Sequence, residues 1–415
     1  MSDAPHPSRR SILALDAFNF FLADLQTGVG PYLAVFLSSV RHFNPAAVGI
    51  ATSAGGCATV LMQTPAGAIT DATTRKRLVV AIAAAVGAAG AIVLANATAF
   101  CIIVAVQIVV GAAFAFLPCA VGALSLGLVG RDALPKRQGT NQAFNSGGNI
   151  MYAVVAGLLG KFVSLGAALY AVAVFGVLTA AIALGIRERD IDHQRAREAD
   201  DDDETDGKAK FRALFGDRNV VTFTVVILLF HLANASMLLL FGQLLPKNGG
   251  AGPSLYLSTG IVAAQILMAG VALVASRYAD RLGRKPVFAF GIGVLIARGV
   301  LFALFTKSPA LMVGVQALDG LGAGIYNVIW VLVAADLARG TGRFNLTQGV
   351  FATAQGLGGA FSNFAAGFLA TAFGFPTTFL TLAAVAGCAL NLFFVAMPET
   401  RNIADQTGRP KPAAA

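Results

Sequence analysis

The sequence predicts an all-α membrane protein of twelve transmembrane helices in two pseudo-symmetric six-helix bundles. Three observations predict it. Of the 415 residues, 56% are hydrophobic and only 12% are charged; apolar blocks of spanning length recur twelve times; and the second six blocks repeat features of the first six. The charged share is about half that of soluble proteins, and mean hydropathy is +0.73. A bilayer-spanning helix takes roughly 20 apolar residues, so the chain holds a dozen with loops to spare. The 46 glycines and the alanine runs lack the alternation of a transmembrane β-strand, which excludes a barrel.

The first apolar segment covers residues 11–40. Ser8-Arg9-Arg10 before it reads as the cytoplasmic flank of a retained helix, not a twin-arginine signal, because no small-residue cleavage site follows and Asp16 and Asp24 interrupt the run. Segments 45–70, 78–95, 99–129, 139–163 and 165–186 complete the first six. A polar stretch, 187–218, carries most of the acid, including the run Asp200 to Glu204, and lacks apolar periodicity. It is expected to be a solvated tether. The remaining segments are 219–245, 254–278, 286–306, 309–338, 345–372 and 376–397. Residues 1–186 are therefore expected to form one bundle, 187–218 a cytoplasmic linker, and 219–415 the second bundle with a cytoplasmic tail.

A net charge of +9 would suit nucleic acid only if the basic residues were gathered, and they are scattered between apolar blocks. With the N-terminus inside, 25 of the 30 Lys and Arg fall in cytoplasmic segments, eight of them in the linker. The opposite face holds Arg41, Lys161, Lys247 and Lys307, and Arg298 lies within a span. That asymmetry follows the positive-inside rule and places both termini in the cytoplasm. Cys57, Cys101, Cys119 and Cys388 lie in apolar stretches without the spacing of a zinc site or disulfide framework, and read as packing residues. Neither a Walker sequence nor an H-E-x-x-H motif occurs, so no cofactor, metal or enzymatic activity is expected.

The halves repeat one another. Asp71-x-x-x-Arg75-Lys76 recurs as Asp280-x-x-x-Arg284-Lys285 at an offset of 209, and Val106-Gln107-x-x-x-Gly111 recurs as Val315-Gln316-x-x-x-Gly320 at the same offset. Leu22-Ala23-Asp24 meets Leu232-Ala233-Asn234 at an offset of 210. A nearly constant offset across three spans indicates duplication of six spans with like topology.

Gly67-x-x-x-Asp71-x-x-x-Arg75-Lys76, its second copy and the Pro398-Glu399-Thr400 ending together resemble the major facilitator superfamily across essentially the whole chain. The second copy has Ser276 at the leading glycine and the first has Thr74 where Gly is common. The resemblance implies alternating access around a central cavity, with an inner gate of Gly67, Asp71, Arg75 and Asp132 (in the loop after the fourth span) and its counterpart Asp280, Arg284 and Asp336. The physical basis is that a small residue lets helix backbones approach, an acid at a helix end holds N–H groups or cations, and the basic pair stays in water. A basic loop that only sets topology is the plainer reading. The family's antiporter signature, a Gly-Pro pair in the fifth helix, is absent: Gly147 and Gly148 stand without a proline.

Among the acids, Asp16, Asp24 and Asp319 lie within spans away from their loop-adjacent ends. Carboxylates in lipid are costly and face a partner or a hydrated cavity. Asp24 sits near mid-depth and Gly28, Gly30 and Pro31 follow it, so the helix can bend there. It is the candidate for proton coupling and for solute contact, against a simple interhelical hydrogen bond; Asp16 reads as an interfacial acid. Arg298 and Asp319 occupy similar depth on adjacent spans, and their repeat equivalents are Ala89 and Val110. Joint absence from the first half is what a mutually neutralising structural pair predicts. Asp319, Tyr326 and Trp330 share one helical stripe, and the resemblance places that helix at the cavity, so the stripe and neighbouring Asn327 are substrate-binding candidates. Asn145, Asn149, His231, Asn234 and Gln355 complete them; Gln348 adds to the polar content of the eleventh span. For the lone His231, hydrogen-bonded packing is the plainer reading; for the amides, joining of helices is an equal alternative.

The reading is a monomeric, proton-coupled secondary transporter in a bacterial inner membrane that exports a small organic solute. The alternatives are a proton-coupled importer, a ferroportin-like divalent metal exporter using Asp24 and His231, and, least favoured, a membrane sensor acting through its linker.

Overall fold

The computed structural model describes residues 7–27, 29–192, 215–248, 252–339 and 343–401. Among these the regular elements are all helical. In chain order they are α1 (Arg9–Thr27), α2 (Val29–Ser39), α3 (Pro45–Ala72), α4 (Lys76–Asn96), α5 (Phe100–Phe114), α6 (Phe116–Phe162) and α7 (Leu165–Gly185), then α8 (Arg218–Leu244), α9 (Pro253–Leu282), α10 (Arg284–Leu304), α11 (Pro309–Ala338) and α12 (Phe344–Ala396). Nine helices among the described residues are long and apolar enough to cross a membrane, and the last, Leu346–Ala396, suffices for two. The pair α1–α2 and the polar second part of α6 supply the others, making twelve spans.

Local chemistry explains the boundaries. Asn44 Oδ1 accepts from the Ala47 N–H at 2.8 Å and Pro45 opens α3, the side-chain cap and first-turn proline that favour a helix start. Ser164 caps α7 in the same way, accepting from the Ala167 N–H at 3.1 Å. Within α6 and α12 the chain turns at Gly130 (φ 77°) and Gly374 (φ 82°) without an intervening loop, a conformation glycine adopts without steric cost. Residues 131–137 are thus helical and not the loop expected there, because one left-handed residue reverses the chain by itself; Asp132 lies in that helix, with its side chain outside the described residues.

The contacts group into two units. One comprises Met1–Asp201, Leu238–Val262 and Asn363–Ala372; the other comprises Asp202–Met237, Ala263–Ser362 and Phe373–Ala415. In the first, Tyr32 Oη lies 2.7 Å from Ser258 Oγ, Ser254 Oγ donates to Gly157 O at 3.2 Å, and the Ala46 N–H donates to Thr371 Oγ1 at 2.9 Å. These bonds attach the start of α9 and residues 363–372 to the first six spans.

Each unit is held by backbone-to-backbone approaches at glycine, and these repeat. A methyl group at Gly111 would lie 2.9 Å from Gly55 Cα, and one at Gly320 would lie 2.8 Å from the carbonyl carbon of Ala264; both partners are related by the offset of 209. Likewise Gly148 abuts Phe20 of α1, and Gly358 abuts Leu228 of α8. In lipid no hydrophobic gain separates buried from exposed apolar faces, so close van der Waals packing at small residues supplies much of the association. Gly67, expected to serve this purpose, has only Cys119 Sγ near a would-be methyl, at 3.9 Å; the close approach falls at Gly55 instead. Cys57, Cys101 and Cys388 are exposed on their helices and not packed, since a thiol is apolar enough to face outward from a span.

The start of α1 is tied to the stretch after α7. Ser11 Oγ donates to Asp190 Oδ2 at 2.6 Å, the Ser8 N–H donates at 3.2 Å, and Ser8 Oγ donates as well. The Ser11 and Ser8 bonds, helped by Arg187, hold the Asp190 carboxyl below the ordinary carboxylate range. A depressed native pKa stabilises above the unfolded value, about 3.9, and that contribution is lost as pH falls through the lower native value. Asp190→Ala is therefore expected to lower the melting temperature in detergent at neutral pH by a few degrees, with the gap to wild type closing below about pH 4; thermal unfolding at both pH values checks it.

Candidate functional site

The second unit carries a buried polar network. Arg298 of α10 is 1% exposed, and its Nη1 donates to Asp319 Oδ1 of α11 at 2.5 Å and to Asn234 Oδ1 of α8 at 2.5 Å. Its Nη2 donates to Gln316 Oε1 at 3.3 Å, and Gln316 Nε2 donates to Asp319 Oδ2 at 3.2 Å. The guanidinium carbon lies 5.6 Å from the Phe302 ring centroid. Asp319 retains 23% side-chain exposure against 2% for Arg298, so the acid is the less buried member. Asn234, read as a substrate contact, is thus engaged by Arg298. Gln316, known from sequence only as a repeat position, closes the network.

Beside it stands an aromatic stack. Phe230 and Tyr326 lie parallel at 5.1 Å, Tyr326 and Trp330 at 6.4 Å, and His231 meets the Tyr326 ring edge-on at 4.7 Å. His231 Nδ1 sits 3.1 Å from Ile227 O, its own preceding turn. Tyr326 Oη donates to Gln355 Oε1 at 3.1 Å. Asn327 departs from the expectation: it is exposed and its amide reaches Met268 Sδ at 3.6 Å, because one residue along a helix turns the side chain about 100° away from Tyr326.

The first unit has a different network, one the sequence reading missed. Arg137 is 7% exposed and Asn141 4%. Arg137 Nη2 pairs with Asp16 Oδ1, and Arg137 Nε donates to Asn141 Oδ1 at 2.7 Å. Asn19 Nδ2 donates to Asn141 Oδ1 at 3.2 Å and to Leu15 O at 2.8 Å, and Asn141 Nδ2 donates to Ser125 Oγ at 2.9 Å. Asp16, read as an interfacial acid, is the partner of a buried arginine, and Arg137, counted among the cytoplasmic charges, turns inward because the helix runs on through residues 131–137. Nearby, Asn149 Nδ2 donates to Asn145 Oδ1 at 3.3 Å. Asp24 lies in α1 with its side chain outside the described residues; Leu22, Ala23 and Leu25 around it are buried. The acidic run Asp200 to Glu204 is also outside the described residues.

The two signature copies differ. In the second, Arg284 Nη1 donates to Asp280 Oδ1 at 2.7 Å and Nε to Asp336 Oδ2 at 3.3 Å. Thr400 Oγ1 donates to Asp336 Oδ2 at 3.1 Å, and Glu399 accepts from the Arg284 and Lys285 N–H groups at 2.8 and 2.9 Å. The Pro398-Glu399-Thr400 ending therefore caps the start of α10, where an acid also meets the helix dipole. In the first copy Asp71 and Arg75 are exposed, while Lys76 is buried and donates to Thr70 O at 2.8 Å and Thr73 O at 3.2 Å, closing the end of α3.

The family model of the Major Facilitator Superfamily matches residues 16–297 and 256–415. The chain belongs to the Major Facilitator Superfamily. It is accordingly an integral membrane transporter of small molecules and not an enzyme. Two uncharacterized MFS-type transporters of Mycobacterium tuberculosis, from strains CDC 1551 / Oshkosh and ATCC 25618 / H37Rv, are each 38% identical over 389 residues, covering 93% of either chain. The fold is similar to the crystal structure of the nucleoside transporter NupG (D323A mutant), with a TM-score of 0.81, 19% identity, and coverage of 94% of this chain and 100% of that one. It is also similar to a D-xylose-proton symporter, with a TM-score of 0.75, 11% identity, and coverage of 94% and 98%. Within this superfamily chain, two ion pairs built on a buried arginine sit in different places in the two halves: Asp16–Arg137 in the first and Arg298–Asp319 in the second.

Proposed function

We propose that this MFS protein exports a small organic solute by alternating access, driven by protons through Asp24, as a monomer in a bacterial inner membrane with both termini and the linker cytoplasmic. Residues 1–186 and 219–415 would act as its two moving bundles, and Asp71, Arg75 and Asp132, with Asp280, Arg284 and Asp336, as its inner gate. The observation that carries the reading is the pair of hydrogen-bonded polar networks inside otherwise apolar spans, one per half, since intramembrane charges are costly unless they serve a hydrated path or a partner. Export fits candidates that are mostly amide, aromatic and aliphatic: among the described residues the buried arginines Arg137, Arg284 and Arg298 are paired with Asp16, Asp336 and Asp319, which leaves none of them for an anionic sugar phosphate or dicarboxylate. The likeness of the fold to a D-xylose-proton symporter is in keeping with proton coupling.

Asp24→Asn tests the coupling. In proteoliposomes with an imposed pH gradient the variant is expected to lose gradient-driven flux of any solute the wild type moves, with its melting temperature unchanged. Wild-type rates with the same pH dependence would refute the role of Asp24.

A further inference from the structure

Between α1 and the two parts of α6, within the first unit, lies a cavity of about 250 Å³ lined by five amide side chains: Asn19, Gln138, Asn141, Gln142 and Asn145. The rest of its described wall is apolar, from Leu22, Pro118, Val121 and Gly122. Among the described residues no charged side chain lines it, and the nearest network cation, Arg137, is taken by Asp16 and Asn141.

Hydrogen-bond polarity inside this cavity is set from behind. An arginine can only donate, so Asn141 must turn its Oδ1 towards Arg137. The same Oδ1 accepts from Asn19, which commits Asn19 Nδ2, and the second Nδ2 hydrogen goes to Leu15 O. The Asn19 Oδ1 is left as an acceptor without a partner on a side chain that is 3% exposed. Asn145 bonds to the Asn149 amide, and because an amide can serve as donor or acceptor in such a pair Asn145 can present either end. Gln138 and Gln142 are exposed to the cavity and can present either end as well. A fixed acceptor and three adaptable amides in a pocket whose described wall is uncharged and partly apolar are complementary to one kind of solute.

We propose that this cavity binds an uncharged solute through a planar edge of adjacent hydrogen-bond donors and acceptors, as nucleobases and primary carboxamides carry. The assignment rests on the transport reading and narrows its substrate class. Charged solutes are disfavoured, because none of the described lining groups would offset the cost of their desolvation. Solutes without such an edge would leave the Asn19 acceptor unpaired, a penalty that makes polar pockets discriminating.

The test uses the full chain in nanodiscs, with uridine and nicotinamide as neutral edge-bearing probes and benzoate and tetraphenylphosphonium as charged comparators, read by calorimetry. Uridine or nicotinamide is expected to bind, with the comparators at least about tenfold weaker, one lost hydrogen bond being worth about that factor. Gln142→Leu and Asn145→Leu, at positions outside the Arg137 network, should each weaken the favoured probe by about tenfold or more while leaving the ligand-free melting temperature unchanged. Asn19→Leu should abolish binding. Binding of neither probe, equal binding to the Leu variants, or preference for a charged comparator overturns the assignment. Counterflow in proteoliposomes separates the two claims: flux of a charged compound that Gln142→Leu does not affect sinks this assignment and leaves transport standing. Probe binding abolished by Gln142→Leu, with no flux of any solute, supports the site and counts against transport.

Discussion

Asp319→Leu is expected to destabilise the protein by about 3–5 kcal/mol, the range for removing one partner of a buried ion pair. Arg298 is 1% exposed, and without Asp319 its guanidinium keeps only the Asn234 and Gln316 amides, neither of which carries a compensating charge. Arg298→Met should cost clearly less, because Asp319 retains 23% side-chain exposure and can be hydrated. The double variant, Arg298→Met with Asp319→Leu, should regain most of the lost stability, as apolar replacement of both partners usually does. Thermal unfolding in detergent across the four proteins measures the coupling. Flux in the double variant then assigns the role: a structural pair predicts that transport survives, and its loss in a well-folded double variant would make the pair part of the transport path. Equal melting of Asp319→Leu and wild type would remove the argument for the pair altogether.

The second large effect is expected at the repeated glycines. Gly111→Val and Gly320→Val should each cost at least the ~1–3 kcal/mol of an overpacked core and reduce the yield of monodisperse protein severely. A side chain at either position meets backbone of the neighbouring helix, Gly55 or Ala264, and backbone cannot rotate away as a side chain can. Gly387→Val is the control: a methyl there meets nothing within 4 Å, and helix propensity, if anything, favours the change. Size-exclusion profiles and melting temperatures of the three variants decide the matter, and a Gly111 variant as well behaved as Gly387→Val would contradict the packing described.

Much of this was legible from residue order. The offset of 209 found in Val106-Gln107-x-x-x-Gly111 and its copy reappears as a matched pair of helix contacts, Gly111 on Gly55 and Gly320 on Ala264. Counting residues from Lys307 and Pro309 placed Arg298 and Asp319 at one depth, and the two side chains meet. What escaped was Arg137. Its neighbourhood holds four charges among seven residues, Arg131 to Arg137, and reads as a loop unless Gly130 is known to turn the chain alone; its inward face then brings Asp16, Asn19 and Asn141 together. These amides lack a repeat counterpart, so no internal comparison marked them. Asn327 was grouped with Tyr326 and Trp330 by sequence proximity, and the helical turn separates them.

Residue order alone determined that twelve apolar segments follow one another, that six were duplicated, and which charges fall within them, because hydropathy, rise per residue and repeat spacing are properties along one axis. Tertiary structure decided which polar groups meet, that Arg137 faces inward to Asp16, and that Asn19 is left with an open acceptor. Those outcomes depend on the rotation of each helix about its axis, and rotation is set by where neighbouring backbones touch at Gly55, Gly111, Gly148 and their counterparts.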